Sequence, residues 1–391
     1  MAKHLFLLRL FNSRRTLSSL SASPSISKSP KGFDEFTIPE IFPSVPNNPS
    51  CFSSQYAQEL TVRRLLKSRR YRDIESLLES HKADSRMKNE SFLCTLIRSY
   101  GLAGMLDHAL RTYDQMESFG THRSTLSFNA LLAACCDSKN FEDVPKYFHE
   151  YPKKFSLKPD RMSYEILIES CCALRDGDKA ASAMGEMQDK TSGTSAKAFC
   201  TLLKFFYAEG RIAEAEAFWI EMVEKGVELN ATAYNIRMRH EEKGGLERVA
   251  ELICEMKMTG IEPNIFSYNK LMVCYLRLKK LKEAFMIYRG LKVSNCKPNH
   301  ATFTILITYL CEFKAYENAY KIFKDSVCSN KLPGFRSLKF LASCLVEKKL
   351  FKEMNEFHAI LKEKLEKQSP DKWVVMCNSL PLPSSNFKRN I

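Results

Sequence analysis

Fourteen cysteines give this 391-residue chain its widest chemical repertoire. Thiols can close disulfides or, as thiolates, hold zinc, and both uses need particular spacings. No two cysteines stand as Cys-x-x-Cys, and no histidine–cysteine group has the spacing of a zinc site. Cys135-Cys136 and Cys171-Cys172 are adjacent pairs, whose side chains diverge on a helix and cannot easily share one metal. Buried thiols in a reducing compartment are the consistent reading, and no metal or cofactor is implied. The other recurrent feature is non-covalent. A short polar residue follows proline in Pro159-Asp160, Pro263-Asn264 and Pro298-Asn299, and Pro333-Gly334 falls in the same phase. Asn and Asp suit such a turn and can cap the helix that follows it.

These residues mark the boundaries of a repeat. The last three prolines are 35 residues apart, and an aromatic residue with an aliphatic pair recurs in the same phase. It appears as Phe128-Asn129-Ala130-Leu131-Leu132, Tyr164-Glu165-Ile166-Leu167-Ile168, Tyr268-Asn269-Lys270-Leu271-Met272 and Phe303-Thr304-Ile305-Leu306-Ile307. Each period reads as two helices. Tyr268, Leu271, Met272 and Tyr275 share one helical face, and Leu281, Ala284, Phe285 and Tyr288 repeat the spacing in a second helix. Proline at the end of the unit cannot continue a helix. One such hairpin cannot bury its own apolar face, whereas stacked hairpins can, so the expected fold is an all-α solenoid.

Composition agrees. The chain has 45% hydrophobic and 27% charged residues, which excludes a wholly disordered protein. Only 14 Gly and 15 Pro argue against an all-β fold, and no apolar run is long enough to span a bilayer, so no membrane partner is expected. The formal charge of +14 makes nucleic acid the first partner to consider. Part of that charge belongs to residues 1–33, which hold six Lys or Arg, no Asp or Glu, and many serines. Leu5, Leu7, Leu8, Leu10 and Phe11 surround Arg9 in a potential amphipathic helix, the profile of an organelle transit peptide. Arginine so near the start points to mitochondria rather than chloroplasts, and removing the segment leaves 53 basic against 45 acidic residues. Residues 34–54, rich in Pro, Ser and Asn, read as a linker, and 366–391 as a frayed tail.

The repeat resembles the pentatricopeptide repeat proteins, specifically the P-type members of plant organelles. Tyr268-Asn269, Ala284 and Pro298-Asn299 match the family's pattern in one copy, and Ala215, Met222, Gly226 and Asn230 in another. The resemblance implies a right-handed superhelical solenoid of stacked helix–turn–helix hairpins. Seven repeats fall at 90–124, 125–160, 161–195, 196–230, 231–264, 265–299 and 300–334, between degenerate cap repeats at 55–89 and 335–365.

In the resembled family each repeat faces one RNA base with its fifth and last residues, while its second residue packs against base faces. Asn129 with Asp160 matches the uridine-preferring pair; Asn235 with Asn264 and Asn269 with Asn299 match the pair that favours pyrimidines, cytidine most. Cys94 with Ser124, Glu165 with Ser195, Cys200 with Asn230, and Thr304 with Gly334 are off-pattern, and Glu165 would repel a nearby phosphate. Thr304 keeps a hydroxyl at the reading position. Leu126, Met162, Thr232 and Phe266 are the base-packing candidates, and Lys243 and Arg277 occupy the thirteenth position, where the family keeps a phosphate-facing lysine. Each Asn or Asp can also be read as a helix cap alone.

The resemblance implies a non-catalytic protein that binds single-stranded organelle RNA, messenger or ribosomal, and supports its stability, processing or translation. A structural subunit of the mitochondrial ribosome, with mitoribosomal proteins as further partners, is the alternative, and a protein-binding solenoid is another. The region after the last repeat has His358-Ala359-Ile360 in place of a deaminase His-x-Glu and is too short for a nuclease domain, so no catalysis and no small-molecule substrate are expected. One uridine and two pyrimidine positions match random RNA about once in roughly 16 nucleotides, too often for one site to be selected unaided.

Overall fold

The computed structural model describes residues 51–83, 88–191, 194–241, 245–293 and 296–368. The leader, most of the linker, residues 369–391 of the tail and Lys243 lie outside the described residues. Among those described there are eighteen α-helices, one short 3-10 helix at His81–Ala83, and no strand. They fall into two compact units that divide between Leu229 and Asn230. The protein is an all-α repeat solenoid.

In the first unit the hairpins are α1 (Cys51–Lys67) with α2 (Tyr71–Ser80), α3 (Glu90–Leu102) with α4 (Leu106–Asp114), and α5 (Thr125–Asp137) with α6 (Asp143–Phe155). Then come α7 (Arg161–Ala173) with α8 (Gly177–Lys190) and α9 (Ala196–Ala208) with α10 (Ile212–Glu224). The second unit holds α11 (Ala231–His240) with α12 (Gly245–Met258) and α13 (Ile265–Arg277) with α14 (Leu281–Val293). It continues with α15 (His300–Glu312) and α16 (Tyr316–Cys328), then α17 (Phe335–Glu347) and α18 (Phe351–Gln368). Helix α1 opens inside the segment read as linker, because helical hydrogen bonding extends backwards from the turns anchored by buried Val62 and Leu65. Helix α18 likewise runs on to Gln368 through the good helix formers Lys, Glu and Leu.

Capping explains where the first helix of each hairpin starts. Asn89, Ser124, Asp160, Ser195, Asn230, Asn264 and Asn299 all accept backbone N–H groups of the turn they precede. Each such cap contributes about 1 kcal/mol. Gly334 has no side chain to offer before α17. Except after α11, where the residues that follow lie partly outside those described, the first helix then gives way to a residue with positive φ. Gly104 and Gly210 adopt that conformation freely, whereas Arg69, Lys139, Arg175, Lys279, Lys314 and Lys349 adopt it with a side chain attached.

Within each unit the first helices stack on one another: α3 on α5, α5 on α7, α7 on α9, and later α11 on α13, α13 on α15 and α15 on α17. Gly101 permits the α3–α5 approach, since a Cβ there would lie 2.5 Å from the Cα of Ala134. The aromatic residue at the fourth position is core in every case: Phe128, Tyr164, Phe199, Tyr234, Tyr268 and Phe303 are all buried. A fully buried ring such as Phe303 contributes roughly 1.5–3 kcal/mol. Cys135, Cys171 and Cys311 are buried and Cys136 and Cys172 half-buried, all as free thiols. Burial pushes the thiols of Cys135, Cys136 and Cys172 up to about 12, which makes them poor nucleophiles and poor ligands.

Candidate nucleic-acid interface

One arrangement of side chains is built three times. In the second unit, Asn264 caps α13, its Oδ1 accepting from the amides of Phe266 and Ser267 at 3.0 and 3.3 Å. Asn235, one hairpin earlier, donates from Nδ2 to the same Oδ1 at 3.3 Å. The Ser267 hydroxyl donates to Asn235 Oδ1 at 3.1 Å and closes the triad. The next hairpin repeats it. Asn269 Nδ2 donates to Asn299 Oδ1 at 3.4 Å, and Thr302 Oγ1 donates to Asn269 Oδ1 at 2.9 Å. In the first unit Asn129 Nδ2 donates to Asp160 Oδ1 at 3.0 Å, and Ser163 Oγ donates to Asn129 Oδ1 at 2.6 Å.

Asp160, Asn264 and Asn299 therefore each cap a helix and also hydrogen-bond the fifth-position amide of the preceding hairpin. One oxygen serves the helix and the fifth-position amide together. What each triad leaves unused is its chemical edge. The Asn at the fifth position keeps one Nδ2 hydrogen, Asp160 keeps Oδ2, and Asn264 and Asn299 keep their Nδ2 groups. Partial burial pushes the Asp160 carboxyl up, but hydrogen bonds from the Ser163 amide, Asn129 and the Ser163 hydroxyl outweigh it and hold the group below its ordinary value. Asn129 and Asn269 are 4% and 6% exposed, so a ligand meets only their amide edge.

The off-pattern pairs are occupied differently. Glu165 Oε1 accepts from Ser195 Oγ at 2.6 Å, and its carboxylate lies 3.7 Å from Arg161 and 3.5 Å from Lys197. Those two cations offset the charge expected to repel phosphate. In the first full hairpin Glu90 accepts from the Ser124 hydroxyl and amide at 2.7 and 2.9 Å and so takes up the closing residue. Burial pushes the partner Cys94 up to about 12 and Cys200 up to about 11. Thr304 donates to the His300 carbonyl at 2.8 Å and accepts from the Gly334 amide at 2.9 Å, so its hydroxyl hydrogen is committed to the backbone.

At the second positions Leu126 and Met162 are 50% and 47% exposed and Thr232 is exposed, while Phe266 is half-buried. The Arg239 guanidinium stands over the Phe266 ring at 5.3 Å, and Lys270 Nζ donates to the Arg239 carbonyl at 3.4 Å. Arg277 is exposed at the end of α13. Sequence reasoning missed Ser163, Ser267, Thr302 and Arg239. The first three carry a signal, a hydroxyl 32–34 residues after each fifth-position Asn.

Comparison with known proteins finds family matches along the stretch from residue 93 to residue 312. The model described as "PPR repeat" matches residues 93–121, 126–154, 162–191 and 197–227. The pentatricopeptide repeat domain matches 217–275, and the PPR repeat family 263–312. Small ribosomal subunit protein mL103 of Arabidopsis thaliana is 50% identical over 241 residues, 61% of this chain and 58% of that protein. A mitochondrial pentatricopeptide repeat-containing protein of the same plant is 45% identical over 276 residues, 70% of this chain and 66% of its own length. The chain thus spans about three fifths to two thirds of these relatives. The crystal structure of the pentatricopeptide repeat protein PPR10 from maize superposes with a TM-score of 0.58 at 19% identity, covering 84% of this chain and 49% of that one. PPR10 in complex with an 18-nt psaJ RNA element gives 0.54 at 19% identity, covering 79% and 43%. With matched repeats from 93 to 312 and a fold of the same kind, this chain belongs to the pentatricopeptide repeat family.

Proposed function

We propose that this protein is a non-catalytic mitochondrial RNA-binding solenoid that holds single-stranded RNA by hydrogen-bonding pyrimidines at three hairpins. The observation that carries the reading is the triad built at Asn129–Asp160, Asn235–Asn264 and Asn269–Asn299. Each triad fixes an amide and leaves a defined polar edge. Asn129 with Asp160 offers a donor beside a carboxylate acceptor, which complements uracil, whose N3–H lies between two carbonyl oxygens. The two Asn–Asn pairs offer donors alone, which complement N3 and O2 of cytosine and, less fully, the carbonyls of uracil. Leu126, Met162, Thr232 and Phe266 would pack against the bases, Phe266 contributing roughly 1–3 kcal/mol if one stacks on it. Arg277 and Lys243 would face phosphate. The likeness to PPR10, solved with RNA, supports the ligand class, and the mitochondrial relatives with the arginine-bearing leader support the compartment.

A second reading is favoured by the likeness to mL103 and, over 34% of this chain, to small ribosomal subunit protein mS79. In it the chain is a subunit of the mitochondrial ribosome and its RNA is ribosomal. Crosslinking the tagged protein to RNA in intact mitochondria separates the two. Reads focused on a few messenger sites support the transcript factor, and reads concentrated on ribosomal RNA support the subunit. No crosslinked RNA at all would sink both.

A further inference from the structure

The turn between the two helices of a hairpin is built alike wherever it is fully described, which leaves out only the one between α11 and α12. The residue just past the first helix has positive φ, and its amide and the next one bond back to carbonyls of the helix's last turn. Lys279 and Lys280 do so to Leu276 and Tyr275, Lys314 and Ala315 to Cys311 and Leu310, and Lys349 and Leu350 to Val346 and Leu345. Glycine is the residue such a turn prefers, and Gly104 and Gly210 show that it serves here. Three consecutive hairpins of the second unit instead carry lysine, at φ of 56°, 59° and 58°. All three are exposed, and none has an ion pair within 4.0 Å among the described residues, unlike Lys292 and Lys324 of the same unit, which pair with Asp325 and Glu356. Lys280 and Lys348 adjoin them. Between the last two turns lies a recess of about 300 Å³ lined by Lys314, Tyr316, Glu317, Asn318 and Lys348, with Lys348 Nζ 5.8 Å from the Tyr316 ring centre.

We propose that this lysine edge is a second RNA-contact surface, which grips the phosphate backbone of a folded, base-paired RNA without reading its sequence. It lies at the far end of the first helices from the Asn pairs, roughly 20 Å away for a 13-residue helix, and begins just past Arg277, the residue proposed to face the phosphate of the base-read strand. A base reader and a backbone grip at opposite ends let one hairpin row touch two RNA segments. Phosphate is favoured over an acidic protein surface because lysine is depleted from the core of protein interfaces, and the aromatic residues of this edge, Phe313, Tyr316 and Phe351, are buried or half-buried rather than exposed anchors. The proposal rests on the RNA-binding reading but not on the base assignments.

The test replaces Lys279, Lys314 and Lys349 together by Gly in the full chain, a change the turn accepts without strain. The probes are an RNA hairpin without unpaired pyrimidines and an unstructured pyrimidine-rich oligonucleotide. Expected are weaker hairpin binding, by about tenfold or more, a salt dependence flattened by about one unit of log–log slope for each phosphate no longer held, and an unchanged or raised Tm. Oligonucleotide discrimination should stay, whereas Asn235→Ala with Asn269→Ala should do the reverse. Unchanged hairpin affinity with a lowered Tm would assign the lysines to the dipole of the helix end and overturn the proposal. Unchanged hairpin affinity with lost binding to polyglutamate would give the edge to an acidic protein and overturn it too. If the wild type binds the hairpin but shows no base preference, the base assignments fall and the edge stands.

Discussion

Two regions of the same fold treat the reading position in opposite ways. In hairpins 231–264 and 265–299 the fifth-position Asn is held between the closing Asn and a hydroxyl from the next hairpin, Ser267 or Thr302. In hairpin 161–195 the fifth residue is Glu165, which takes the Ser195 hydroxyl for itself, and the next hairpin offers Ala198 where a hydroxyl would stand. In hairpin 90–124 the carboxylate of Glu90 captures the closing Ser124. The backbone and the caps are common to both regions. Whether a hairpin presents a free polar edge is therefore decided by three side chains, the third of which belongs to the following repeat.

Removing the amides is the most severe way to break this contrast. Asn235→Ala with Asn269→Ala deletes both proposed ligand contacts, while the Ser267 and Thr302 hydroxyls keep Asn264 and Asn299 within reach, so discrimination against purines should fall by roughly 2–3 kcal/mol in total, read by competition between homopolymeric RNAs. Retained preference would remove the base-reading role from this region. A milder break leaves both amides in place. Ser267→Ala with Thr302→Ala takes the donor from each Asn Oδ1 and frees the amide to rotate. Pyrimidine discrimination should then fall about tenfold or less, near 1 kcal/mol, with a comparable loss of stability in chemical denaturation. Unaltered discrimination would make the hydroxyls capping groups only.

The contrast can also be sharpened by conversion. Glu165→Asn with Ala198→Ser installs the missing triad beside Ser195 in the first unit. A pyrimidine preference of about 0.5–1.5 kcal/mol should appear at one further nucleotide, measured by systematic substitution of the bound oligonucleotide. Glu165→Asn alone should gain less, since nothing would then orient the new amide. Equal gains from the single and the double change would show that the hydroxyl is dispensable.

The helical hairpin and its aromatic core were legible in the chain, because periodicity and proline boundaries are local properties. The buried Phe128, Tyr268 and Phe303 follow from a spacing that any amphipathic helix must obey. The candidate site was legible only in outline. That Asp160, Asn264 and Asn299 cap a helix and also hold an amide cannot be read from one hairpin, because the partner lies some 30 residues away. The same distance hides the capture of Ser124 by Glu90 and the cations that neutralise Glu165. Arg239 over Phe266 depends on how α11 lies against α13, and no periodic signal marks it.

The finest comparison is between Asp160 and the two closing asparagines, which differ by one atom. Asp160→Asn keeps the cap, since Asn and Asp are about equally good at that position, so stability at neutral pH should change by only a few tenths of a kcal/mol. It exchanges an acceptor for a donor, and the preference at that nucleotide should move from uridine to cytidine. The two proteins should also part in acid. Hydrogen bonds hold the Asp160 carboxyl below its ordinary value in the folded state. A depressed carboxyl contributes stability that is fully present above the unfolded-state value, about 3.9, and is lost as pH falls through the folded value. The difference in Tm between wild type and Asp160→Asn should therefore be flat from pH 7 to about 5 and turn against the wild type below about pH 4. A difference that stays flat to pH 2 would mean that the triad does not hold the carboxylate, and the uridine preference would lose its acceptor with it.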